Sequence, residues 1–133
     1  MDIRQHAVSE TTVLHLRDAS EELMFDGDKP CTVTIYGPGS KQYARAQTEQ
    51  SNRLIDRMKK KGKTNQSAEE AAKEKSEFLA ACTHSFQNVD YDNLGGDEKH
   101  KAIYSDPSIG FIADQVAKHL ADWSNFTKGS QKP

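Results

Sequence analysis

Cysteine is scarce in this chain. Only Cys31 and Cys82 occur, far apart and in apolar contexts, with no CxxC or Cys/His spacing between them. A cysteine-based metal motif is therefore ruled out. The two read as small buried hydrophobes in a reducing cytosol, with a disulfide between them as the lesser alternative. Long apolar runs are missing as well: no stretch approaches the roughly eighteen residues a membrane-spanning helix needs. The opening residues MDIRQHAVSE hold no apolar segment, so no secretory leader is expected. Apolar residues are few overall, 35% against 29% charged, and mean hydropathy is −0.84. For 133 residues this composition predicts one domain with a modest core. It also predicts mobile segments and stability borrowed from an oligomer or partner. Net charge is −2, too little to draw in nucleic acid by bulk attraction.

Catalytic constellations are absent too. The five histidines, His6, His15, His84, His100 and His119, form no HxxxH pair and no Cys/His cluster. Gly37-Pro38-Gly39-Ser40-Lys41 sits where a phosphate loop would, but lacks GxxxxGK[ST]; a turn followed by a helix cap explains it. Asp90-x-Asp92-x-Leu94-Gly95 fails the calcium-loop pattern at its third ligand position. Cys82 and His84, two residues apart on one element, would point to different sides. No catalytic residue, no metal and no cofactor is expected.

What is present is periodicity. Ser105 to Phe126 reads as an amphipathic helix, with Ser105 as N-cap, Asp106 in the first turn and Pro107 ready for a helical φ. Ile109, Ile112, Val116, Leu120 and Trp123 recur at spacings of three and four. A second helix is predicted from Lys41 to Lys60, with Tyr43, Leu54, Ile55 and Met58 as core candidates. Glu49 with Arg53 and Asp56 with Lys60 would be i,i+4 ion pairs, and Gly62 a stop. A third begins at Ser67, whose Ser-Ala-Glu-Glu sequence is a capping box. Ahead of these, Thr12 to Leu16 and Cys31 to Tyr36 alternate like strands. Asp26-Gly27-Asp28-Lys29 is a hairpin signal between Glu21–Phe25 and Cys31–Tyr36. Cys31, Val33 and Ile35 should face a core, and Thr32, Thr34 and Tyr36 solvent.

These elements make the fold class α+β: a small N-terminal antiparallel β-hairpin or sheet followed by three main α-helices. It forms one domain over 1–133, with a β region at 11–36 and mainly helix over 41–126. About 1–10 and 127–133 should be flexible, as should the loop 62–66. Charge is uneven along it. Lys41 to Lys63 holds eight basic residues and two acidic ones, leaving the rest of the chain at about −8. A basic arm on an acidic body suits an anionic partner, pairing with its own body, or simple solvation.

The layout resembles the tail assembly chaperones of long-tailed bacteriophages and prophages. The resemblance rests on Tyr36-Gly37-Pro38 closing a β region before a charged helix. It rests also on Phe78-Leu79-Ala80-Ala81-Cys82-Thr83-His84-Ser85-Phe86-Gln87-Asn88-Val89, and on Tyr104-Ser105-Asp106-Pro107 through Gln115-Val116 to Trp123-Ser124-Asn125-Phe126. It implies a non-enzymatic, ATP-independent factor of the bacterial host cytoplasm, absent from the mature virion. Such a factor binds the tape-measure protein and helps recruit tail-tube subunits; some members are also made in a longer, frameshifted form. Applied to this chain, the expected partner contacts are Ile112, Val116, Trp123 and Phe126, with Arg45, Arg53, Arg57 and Lys60 meeting acidic surface. A homo-oligomer fits as well, and no membrane partner is expected. The alternatives are a structural tail completion or connector subunit that stays in the virion, and a small nucleic-acid binder using the basic helix.

Overall fold

Strands β1 (Thr11–His15) and β4 (Thr32–Tyr36) pair antiparallel, Thr11 opposite Tyr36 and His15 opposite Thr32. The computed structural model describes residues 1–61 and 67–127, so the expectations for the loop 62–66, including Gly62 as a stop, and for the tail from residue 128 onward lie outside the described residues. A third strand, β5 (Thr83–Gln87), joins β4 antiparallel on its other side, giving the order β1-β4-β5. The Asp-Gly signal is a real turn, with Gly27 at φ +65. Yet it closes only two-residue strands, β2 (Phe25–Asp26) and β3 (Lys29–Pro30). The long partner of Cys31–Tyr36 is therefore β1 and not Glu21–Phe25. Strand alternation determined which side chains face the core but carried no information on which strand lies alongside.

Four helices accompany the sheet: α1 (Lys41–Lys61), α2 (Ala68–Ala81), α3 (Gly96–Ser105) and α4 (Gly110–Leu120). The protein is α+β, with one helix more than the three expected. Asp97 and Glu98 in the first turn of α3 favour its positive end. Cap chemistry explains most of the boundaries. Ser40 Oγ accepts from the Tyr43 amide at 3.1 Å and donates to the Gly37 carbonyl, making the GPGSK segment a turn and N-cap. Ser67 Oγ accepts from the Glu70 amide at 3.1 Å, as its capping box predicts.

The long last helix does not form as one piece. Ser105 is the final residue of α3 and caps no helix of its own. Asp106 caps a 3-10 turn over Pro107–Ile109 by accepting from the Ser108 amide. After α4 stops at Leu120, Asp122 accepts from the Ser124 amide and caps a separate 3-10 turn, Trp123–Phe126. Each Asp supplies an acceptor that competes with helix continuation, and a single 3.6 period runs through both breaks without marking them.

The inner sheet face carries Val33 and Ile35, both fully buried, and meets Leu79, Cys82, Ile103, Val116, Leu120 and Phe126 from the helices. Two ties join the ends of the described chain. The Ser9 amide donates to the Phe126 carbonyl at 2.7 Å. Gln115 accepts from the Arg17 amide at 2.8 Å and donates to the Arg17 carbonyl at 2.6 Å, a side-chain copy of a strand pairing. The first ten residues, expected as a flexible lead-in, hold a 3-10 turn at Ile3–His6 and pack Val8 against the core.

Candidate functional site

The helix with the longest span has the least to do with the core. Along α1, Ala46 is buried, and Gln50, Arg53 and Arg57 come after it at spacings of four, three and four, each half-buried. This is the face turned to the body. Tyr43 meets the Phe78 ring edge-on at 5.6 Å near the start of α1. Further along, the contact between α1 and α2 is ionic: Arg53 reaches Glu74 at 2.6 Å and Glu77 at 3.1 Å, and Arg57 lies 4.0 Å from Glu74. The hydrogen bond to Glu74 raises the pKa of the Arg53 guanidinium, against burial that lowers it. Glu49 attracts Arg53 as expected, but the close contacts go to Glu74 and Glu77, because two carboxylates one turn apart on α2 match a guanidinium better than one flexible glutamate does.

With arginines occupying the inward positions, the apolar residues of α1 are turned outward. Leu54, Ile55 and Met58 are 39%, 47% and 43% exposed. All three were expected in the core. They stand within one helical turn on a single side of α1, with Lys59 exposed beside them. The result is an apolar stripe that the described residues leave uncovered, on a helix of 21 residues.

The expected contacts on the last segment fare differently. Ile112, Val116 and Phe126 are buried, Val116 and Phe126 completely, and contribute to this chain's own core, so they present nothing to a partner in this fold. Trp123 is 57% exposed. Both aromatics lie in the 3-10 turn after Leu120, and the core takes only Phe126. Of the basic candidates, Arg45 and Lys60 are exposed, while Arg53 and Arg57 serve the α1–α2 contact. The structure therefore brings the expected residues together at no single surface. It offers Arg45 and Lys60 on α1 and Trp123 elsewhere. The stripe itself was missed, although a mean hydropathy of −0.84 signals a body too lean to cover every apolar residue.

The remaining chemistry is quiet. Both cysteines are free and buried, and burial pushes the Cys82 thiol up to about 12. Among the described residues, no three His, Cys, Asp or Glu side chains converge as a metal site, and no helix is long and apolar enough to cross a membrane. No protein-family model, curated protein or solved structure matches the chain.

Proposed function

We propose that this chain is a tail assembly chaperone of long-tailed bacteriophages or prophages. It acts without catalysis in the host cytoplasm, holds the helical tape-measure protein in soluble form and helps recruit tail-tube subunits. The observation that carries the reading is the uncovered stripe Leu54, Ile55 and Met58 on α1. A long helix with an open apolar stripe can lie along a second amphipathic helix and cover its apolar side. Each of the three side chains would contribute about 1 kcal/mol, since roughly half of each is still to be buried. Lys59 adds attraction for an acidic flank. The resemblance of the chain's layout to this family supplies the identity of the client; the stripe supplies a place for it.

The test is co-expression with the large helical tail protein encoded nearby, followed by size-exclusion chromatography. The chain should keep that protein soluble and co-elute with it in many copies. Ile55→Asp with Met58→Asp should lower recovery of the complex about tenfold without loss of helix content, because both sites are exposed. Precipitation of the tail protein whether or not the chain is present would sink the reading. So would stoichiometric recovery of the chain from purified virions, which would put a tail completion or connector subunit in its place.

A further inference from the structure

An opening lies along the outer edge of the sheet. β1 is an edge strand, paired to β4 on one side only. The Leu16 amide donates to the Cys31 carbonyl, and the Glu10 carbonyl accepts from the Gly37 amide. In an antiparallel ladder these alternate positions, Glu10, Thr12, Leu14 and Leu16, turn their backbone groups to β4. Ser9, Thr11, Val13, His15 and Arg17 therefore turn theirs away from the sheet. The protein closes this row at its two ends. The Ser9 amide donates to the Phe126 carbonyl, and both backbone groups of Arg17 are taken by the Gln115 side chain. Between those ties, the outward N–H and C=O groups of Thr11, Val13 and His15 have no hydrogen-bond partner among the described residues.

Beside this row, β1 and α4 border an open cleft of about 660 Å³. Leu14 and Phe111, both half-buried, give it apolar surface from either side. Asp18, Glu21 and Asp122 line it and form no ion pair among the described residues, while Asp114 is paired with Lys75 at 2.6 Å. Arg17 and Lys118 are the basic residues there, and the Arg17 guanidinium donates to the Glu21 carbonyl. The chain outside Lys41 to Lys63 carries about −8, so the surroundings are acidic as well. The free stretch is five residues long, about 16 Å at a strand's rise of roughly 3.3 Å per residue. Open donors and acceptors at alternate residues match a chain that is itself extended, because a helix spends its backbone groups internally.

We propose that the Thr11–His15 edge takes up an extended, basic segment of another protein as a fourth strand of the sheet. The added backbone supplies the partners that Thr11, Val13 and His15 lack. Its side chains alternate in direction. One set covers Val13, which is 58% exposed at the middle of the edge. The other set enters the cleft against Leu14 and Phe111, and its basic neighbours meet Asp18, Glu21 and Asp122. An open edge is a liability that folded proteins blunt; this one is tied off at both ends and left open in the middle. The inference uses neither the α1 stripe nor a helical client, so it stands or fails apart from the chaperone reading.

The probe is a peptide of about seven residues, blocked at both ends and alternating lysine with valine, long enough to span the edge. It is added to the isotope-labelled full chain, and amide hydrogen exchange is followed residue by residue. Exchange at the Thr11, Val13 and His15 amides should slow by about tenfold or more at saturation. Thr12 and Leu14, already bonded to β4, should not change. N-methylation of one alternate set of peptide amides should abolish binding, and of the other set should leave it intact, since only one set faces β1. Glutamate in place of lysine should weaken binding by about tenfold, a difference that added salt narrows. Val13→Pro should abolish binding; it removes an outward donor only, which an edge strand tolerates. The methylated peptides test the pairing on the wild-type chain, so a misfolded Val13 variant does not decide the matter. No binding up to about 1 mM overturns the inference. So does equal binding of both methylated peptides, or of the glutamate peptide. Slow exchange at the three amides without peptide also overturns it: another segment of this chain then fills the edge or, where protection rises with protein concentration, a second copy does.

Discussion

Trp123 and Phe126 stand three residues apart in one 3-10 turn and have opposite fates. The Phe126 ring is fully buried, and it lies so close to Gly37 that a Cβ there would collide with it. Phe126→Ala should cost about 3–5 kcal/mol in urea denaturation, whereas Trp123→Ala should cost under about 1 kcal/mol. Gly37→Ala should cost about 1–3 kcal/mol, because the fully buried ring would have to shift to admit the methyl group. The Tyr36-Gly37-Pro38 element was legible as a strand end. That its glycine is required by an aromatic ring 89 positions later was not, since the reason exists only once the chain has folded. A similar limit applies to Trp123 and Phe126. Both suit a terminal anchor by residue type, and only the packing of the folded chain, with Phe126 inside and Trp123 57% exposed, tells them apart.

Between elements, the α1–α2 contact depends on charge more than on apolar packing. A double-mutant cycle on Arg53→Ala and Glu74→Ala should give a coupling of about 1 kcal/mol that shrinks as salt is added. The same cycle on Arg53 and Glu49 should give almost none. Two helix starts were legible, because a cap is a local arrangement: Ser40 and Ser67 serve the helices expected of them, whereas Ser105 ends α3 and leaves the cap to Asp106. Helix faces were less legible. Tyr43, Leu54, Ile55 and Met58 look like a core stripe, but the side of a helix that turns inward depends on what its neighbour offers. Here α2 offers Glu74 and Glu77. Ile112 and Val116, expected at a partner surface, are likewise taken up by the core.

At the scale of the molecule, two histidines tie stability to pH. His100 is packed against Phe86 at 5.5 Å, and its burial holds its pKa below the ordinary value of 6.5, with Asp97 opposing and Lys99 and His84 assisting. His119 is lowered in the same way by burial, against Asp122, and its Nε2 has no hydrogen-bond partner among the described residues. Both are depressed on folding, so the unfolded chain binds the extra protons. Their contribution is complete above about pH 6.5 and is lost as the pH falls towards the folded values. The melting temperature should therefore drop between about pH 7 and about pH 5, and His100→Gln should flatten the profile. The α+β class was readable from the order of strand-like and helix-like periods. The strand order β1-β4-β5 was not, because β5 comes from a segment whose apolar residues suit helix and strand alike.

The ties from Ser9 to Phe126 and from Arg17 to Gln115 bear on how the protein is made. When residue 100 leaves the ribosome, all three strands have been synthesised, but their inner face lacks α4 and the Phe126 ring. Leu79, Cys82 and Ile103 can cover part of that face, and Val116, Leu120 and Phe126 complete it last. Contacts spanning 98 residues or more are late and slow to form. Nascent chains arrested before residue 111 should be protease-sensitive throughout, and a short pause in translation there would expose them to aggregation.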